Sequence, residues 1–186
     1  PSRVFEGAHG VFAAFIAGAG DLSALETPGL AIEDAYFKLY PCCRHYHAAI
    51  DGLLDLRATL GGELAAVRRV ELGLYGVAVR GHDHREAETL LAAQMSAPIA
   101  AGLALLDGAV TVEGFGAESL ARPALREMIG RVGVTVDPEC ERAYPACRPA
   151  RVTLDLADGR RLERNLARRS SSESGAAPSP FGLCKR

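Results

Sequence analysis

Nowhere in the 186 residues does an apolar run reach the about 18 needed for a membrane-spanning helix, so that class is excluded. No secretory leader pattern is visible, and the five cysteines are an odd number without a regular framework; a reducing, cytoplasmic setting is expected. Concentrated charge is missing as well. The 21 basic and 23 acidic residues give a net charge of −2, and the basic ones are spread along the chain to residue 160, which argues against a nucleic-acid partner. Lysine is scarce, at Lys38 and Lys185 alone; with abundant Ala and Gly, that reads as a GC-rich coding sequence rather than a function. No internal repeat is present. No methionine precedes Met95, and the text opens abruptly in helical pattern, so the chain is expected to be the later part of something larger. What is present is a chain 48% hydrophobic, long enough to bury a real core.

Residues 6 to 18 have helical spacing, with Val11, Phe12, Phe15 and Ile16 on one face and Gly18 and Gly20 at the end. A linker broken at Pro28 and Gly29 follows. FKLYP is extended, because the residue before a proline is pushed out of the helical region. Ile50, Leu53, Leu54 and Leu60 predict a helix from His45 or Tyr46 to Leu60, stopped by Gly61 and Gly62. Alternation predicts a half-buried strand over 67 to 79. RGHDHREAETLLAAQ reads as a polar approach to a third helix, capped by Ser96, tolerating Pro98 in its first turn and ended by Gly108. Residues 117 to 131 read as one amphipathic helix through Leu120, Leu125, Met128 and Ile129. VGVTVDP is a short strand, and 150 to 166 a hairpin turning at Asp158-Gly159. The remainder, 167 to 186, is rich in Ser, Gly, Pro and Ala and is expected to be disordered. Without a repeated βαβ pattern, the fold class is α+β with a small, mainly antiparallel sheet packed with helices.

The densest chemistry is in YFKLYPCCRHYHAAID, residues 36 to 51. Cys42, Cys43, His45 and His47 are metal-type donors, but zinc cysteines are usually spaced so that both thiolates turn inward, and adjacent ones point apart. A redox pair fits no better, since that motif has two intervening residues. His82 and His84 in GHDH read as solvated in a polar turn. A third possibility is acid/base work. At a helix start, the dipole disfavours an imidazolium and leaves His47 neutral and able to accept a proton, with the cations Lys38 and Arg44 beside it. A plain helix cap, with Tyr40 and Cys42 packed beneath, accounts for the same residues.

FKLYPCCRHYHAAIDGLLDLR closely resembles a segment of the MmgE/PrpD family that runs Lys, any residue, Tyr-Pro, one or two residues including Cys, and then a His ahead of Ala-Ile-Asp. FEGAHGVFAAFIAG, AAQMSAPIAAGLALLDG and RVTLDLADGRRLE are similar to further segments of that family, in the same order, so the resemblance spans roughly residues 4 to 166. The family includes 2-methylcitrate dehydratase, cis-aconitate decarboxylase and iminodisuccinate epimerase.

The resemblance implies an α+β lid domain at 35 to 166, preceded at 1 to 34 by the end of an all-helical domain. It implies no metal and no organic cofactor, a small di- or tricarboxylate as substrate, and homodimers when full length. By position it makes His47 a catalytic residue and Lys38 and Arg44 substrate-binding ones. Two departures stand out. Ile99 replaces an aromatic residue, often a substrate-facing tyrosine. The chain also lacks the family's first helical segment with its own site residues, so this stretch alone is expected to be inactive. The text after 166 departs from the family's continuation and reads as a frame change or unrelated sequence.

Overall fold

The computed structural model describes residues 37–166. The chain divides into two units, Pro1–Ala35 and Tyr36–Arg186, and all described residues belong to the second. The expected helix at 6 to 18, the linker after it and the expected disordered tail lie outside the described residues.

A 3-10 turn at Arg44–Tyr46 leads into α1, His47–Leu60, which ends where Gly61 takes the left-handed conformation (φ 58°) that glycine adopts without a Cβ clash. Strand β1, Val67–Leu74, carries a bulge between Val67 and Arg69, so Arg68 and Arg69 both face outward before inward Val70, Leu72 and Leu74. The expected strand through 79 is cut short. Tyr75, fully buried, opens a helical turn, α2 at Gly76–Val79, and the Gly76 N–H donates to Glu141 Oε2 at 2.6 Å.

The polar approach contains a short helix of its own, α3 at Leu90–Gln94, where the Thr89 hydroxyl accepts from the Ala92 N–H. Ser96 caps α4, Ala97–Asp107, by accepting from the Ile99 N–H at 3.2 Å, and Pro98 occupies the first turn where its missing N–H costs nothing. Gly108, at φ 68°, ends it.

The single helix expected over 117 to 131 is two: α5 at Ala117–Leu120 and α6 at Pro123–Gly130. Pro123 has no N–H to continue the first ladder and starts a new first turn instead. Arg122 fixes the break, with its guanidinium bidentate on Asp107 (2.8 and 2.7 Å) and its Nε on the Ser119 carbonyl.

Strand β2 is Val132–Val136, followed by an unforeseen helix α7, Pro138–Ala143, capped by Asp137. Strands β3, Ala150–Leu156, and β4, Arg161–Leu166, form the expected hairpin.

The sheet order is β2-β1-β3-β4. Only β1 and β2 are parallel, with Val70 opposite Val132; β3 is antiparallel to β1 (Leu72 opposite Val152) and to β4 (Thr153 opposite Glu163). This is the expected α+β fold with a small, mainly antiparallel sheet. Helices α1 and α4 cover one face, where Val70, Leu72, Val152 and Leu154 are buried. The opposite face is charged: Arg151 pairs with Asp137, Glu139 and Glu163, and Arg161 with Asp155. Helix α4 passes through the core with Ala97 to Leu105 buried throughout, which its Ala and Gly residues permit by letting α6 approach closely.

Candidate active site

The segment ahead of α1 is held by backbone and phenol hydrogen bonds. The Cys43 N–H donates to the Gln94 carbonyl at 3.0 Å, and the Tyr46 hydroxyl also donates to that carbonyl. Tyr46 is buried, so the chain enters α1 at a fixed angle against the end of α3. His47 is the first residue of the helix and only 2% exposed. Its imidazole packs edge-on against Tyr40, with ring centroids 5.1 Å apart and planes at 71°. The Tyr40 hydroxyl donates to Asp51 Oδ1 at 2.6 Å, and Asp51 lies one helical turn after His47. Tyr40, His47 and Asp51 thus form one packed group. Asp51 could have been found in the sequence, since positions four apart share a helix face.

Lys38 is exposed in the stretch before Tyr40, and Arg44, half-buried, opens the 3-10 turn. The Lys38 charge reaches both adjacent thiols. Burial nevertheless pushes Cys42 up to about 12, reinforced by Cys43 and only partly opposed by Lys38. Cys43 is also raised by burial, against the pull of its hydrogen bond at His45 and of Lys38 and Arg148. Both are therefore neutral, buried packing residues, and with Cys140 they are free thiols. Among the described residues, no three His, Cys, Asp or Glu side chains converge to hold a metal ion.

A second polar group surrounds His45. Its Nδ1 shares a 2.8 Å hydrogen bond with the Tyr75 hydroxyl, and Tyr75 stacks on Tyr144 at 4.4 Å. His82 lies 6.1 Å from the His45 ring, and Arg148 is hydrogen-bonded to Tyr75. Burial holds the His45 pKa below its usual value, helped by the positive charge of Arg148 and by the neighbouring His82 ring. Sequence reasoning missed this group because its members run from His45 to Arg148 and show no shared spacing.

His82 and His84 are anchored rather than solvated. His82 Nδ1 donates to the Met95 carbonyl and His84 Nε2 to that of Ala92, each at 2.9 Å, which ties the 80s loop to the α3–α4 junction. Ile99 is 1% exposed in the first turn of α4, so that position supplies core packing rather than a hydroxyl.

A histidine at the N-terminus of a 14-residue helix, in edge-on contact with a phenol ring, is of a residue type that can take up and release a proton. Comparison with curated proteins finds no match. A family model described as the MmgE/PrpD C-terminal domain matches residues 40–172, from Tyr40 through both polar groups and the whole sheet. On that match, which covers well over half of its length, the chain belongs to the MmgE/PrpD family.

Proposed function

We propose that the chain is the lid-bearing part of an MmgE/PrpD-type lyase, 2-methylcitrate dehydratase-like, acting on a small di- or tricarboxylate. His47 is the general base. Its neutral imidazole takes the proton from the carbon next to a carboxylate, the C–H electron pair forms the new double bond, and the C–O bond to the neighbouring hydroxyl breaks. The departing oxygen leaves as water, with a proton from an acid supplied elsewhere in the intact enzyme. Lys38 and Arg44 hold the carboxylates, so that charge gathering during proton removal meets fixed cations. The reaction needs neither a metal nor an organic cofactor, and the intact enzyme is a homodimer.

The observation that carries this reading is the position of His47: first residue of α1, within the family's Lys…Tyr-Pro…His segment, inside the matched region. An epimerase or decarboxylase of the same family would use the same base and cations on a different bond. A non-catalytic α+β module is the reading from outside enzymology.

The test is incubation of 2-methylcitrate, cis-aconitate and iminodisuccinate with the intact enzyme and with the 186-residue chain alone. Formation of an unsaturated acid by the intact enzyme, and nothing by the chain alone, is expected. Turnover of none of the three by the intact enzyme would favour the interaction module. Decarboxylation or epimerisation without dehydration would replace the lyase assignment with its relatives.

A further inference from the structure

The Tyr40–Asp51 hydrogen bond has no part in the helix ladder, and it ties a residue before α1 to a residue inside it. Tyr40 is the residue before Pro41, which restricts its backbone, and the Cys42 N–H closes a tight turn on the Tyr40 carbonyl at 2.9 Å. Its phenol oxygen is 2.6 Å from Asp51 Oδ1, the range of a hydroxyl donating to a carboxylate, which is stronger than a neutral pair. Between these two anchors the phenol ring has little freedom, and the His47 imidazole meets it edge-on at 5.1 Å. Edge-to-face contact of this kind is orientation-dependent, so a fixed phenol selects one imidazole plane. His47 and Asp51 share a rigid helical turn, so the three side chains form a closed loop of constraints.

We infer that Tyr40, anchored by Asp51, is the positioning residue for His47. It sets the plane in which the imidazole is presented, and the spacing Tyr-x6-His-x3-Asp is the sequence form of that device. The inference rests on the reading of His47 as the base for its functional meaning, while the geometry itself is tested without turnover. Tyr40 acts through His47 and Asp51 acts through Tyr40.

The experiment follows the His47 ring-proton resonances in the 186-residue chain by NMR, assigned by their loss in His47→Gln, at one fixed pH. Tyr40→Phe keeps the ring and removes its anchor, and Asp51→Ala removes the acceptor. Each is expected to displace the His47 resonances to the same new position, and the double variant to add nothing further. Asp51→Asn, which keeps an acceptor oxygen, should restore most of the parent position. A purely structural role for Tyr40 would lower the unfolding midpoint without moving the His47 signals selectively. Unmoved His47 resonances in Tyr40→Phe and Asp51→Ala, with the fold intact by circular dichroism, would overturn the inference and leave the catalytic reading of His47 standing. Conversely, displaced resonances combined with full turnover by the His47→Ala enzyme would keep the positioning and remove the base.

Discussion

His45 and His47 stand two residues apart and have different surroundings. His47 is enclosed at the head of α1 against Tyr40, while His45 is half-buried between Tyr75, Tyr144 and His82, within reach of the Arg148 charge. Because burial, and after it the Arg148 charge, disfavour the charged ring, folded His45 binds its proton less readily than the unfolded chain does. The unfolded state therefore takes up more protons as pH falls below the usual histidine value, and stability drops in that window. Urea unfolding should show a midpoint that falls as pH drops below the usual histidine value, with a smaller fall in His45→Gln. An equal pH dependence in the two proteins would contradict the assignment. That Lys38, Arg44, His45 and His47 lie in one short segment was legible in the sequence. The Tyr75–Tyr144 stack was not, since only the folded sheet brings those rings together.

Elements were most legible where caps and periodicity agreed. Helices α1 and α4 begin and end near their sequence signals, with Gly61 and Gly108 in left-handed conformation. Strand β1 was overrun because burial of Tyr75 and the Glu141 contact at Gly76 are tertiary, and local alternation does not report them. The break before α6 was carried by Pro123, a signal outweighed by an unbroken apolar face. Helix α7 had a signal too, in Asp137-Pro138, and the cap is well made: Oδ1 accepts from the Glu139 and Cys140 N–H groups at 2.8 and 3.0 Å. Asp137→Ala should cost about 1 kcal/mol of unfolding free energy by denaturant titration. Close packing of α4 on α6 gives a sharper test. A Cβ at Gly102 would stand 2.9 Å from Leu125 Cδ1 and 3.0 Å from Ile129 Cγ1. Gly102→Val should therefore destabilise by about 1–3 kcal/mol through overpacking, and a neutral effect would mean that the two helices are not held at this distance.

At the scale of the whole molecule, the parallel β2–β1 pair and the antiparallel neighbours β1–β3–β4 put α1 on the buried face of the sheet, with His47 at its leading end. The class of fold followed from the mixture of strand and helix periods; the strand order did not, because register depends on which faces find each other. The charged outer face, with Arg151 bridging Asp137, Glu139 and Glu163, was also invisible to local patterns that read each strand separately. His47 is proposed to move the proton in a polycarboxylate reaction of this family. The most direct measurement is kcat for 2-methylcitrate in the intact enzyme carrying His47→Ala, beside the parent and a Lys38→Ala control. A loss in kcat of about 10²–10⁴-fold is expected for His47→Ala, and a smaller loss, in kcat/KM, for Lys38→Ala. Turnover by His47→Ala at the parent's rate would contradict it.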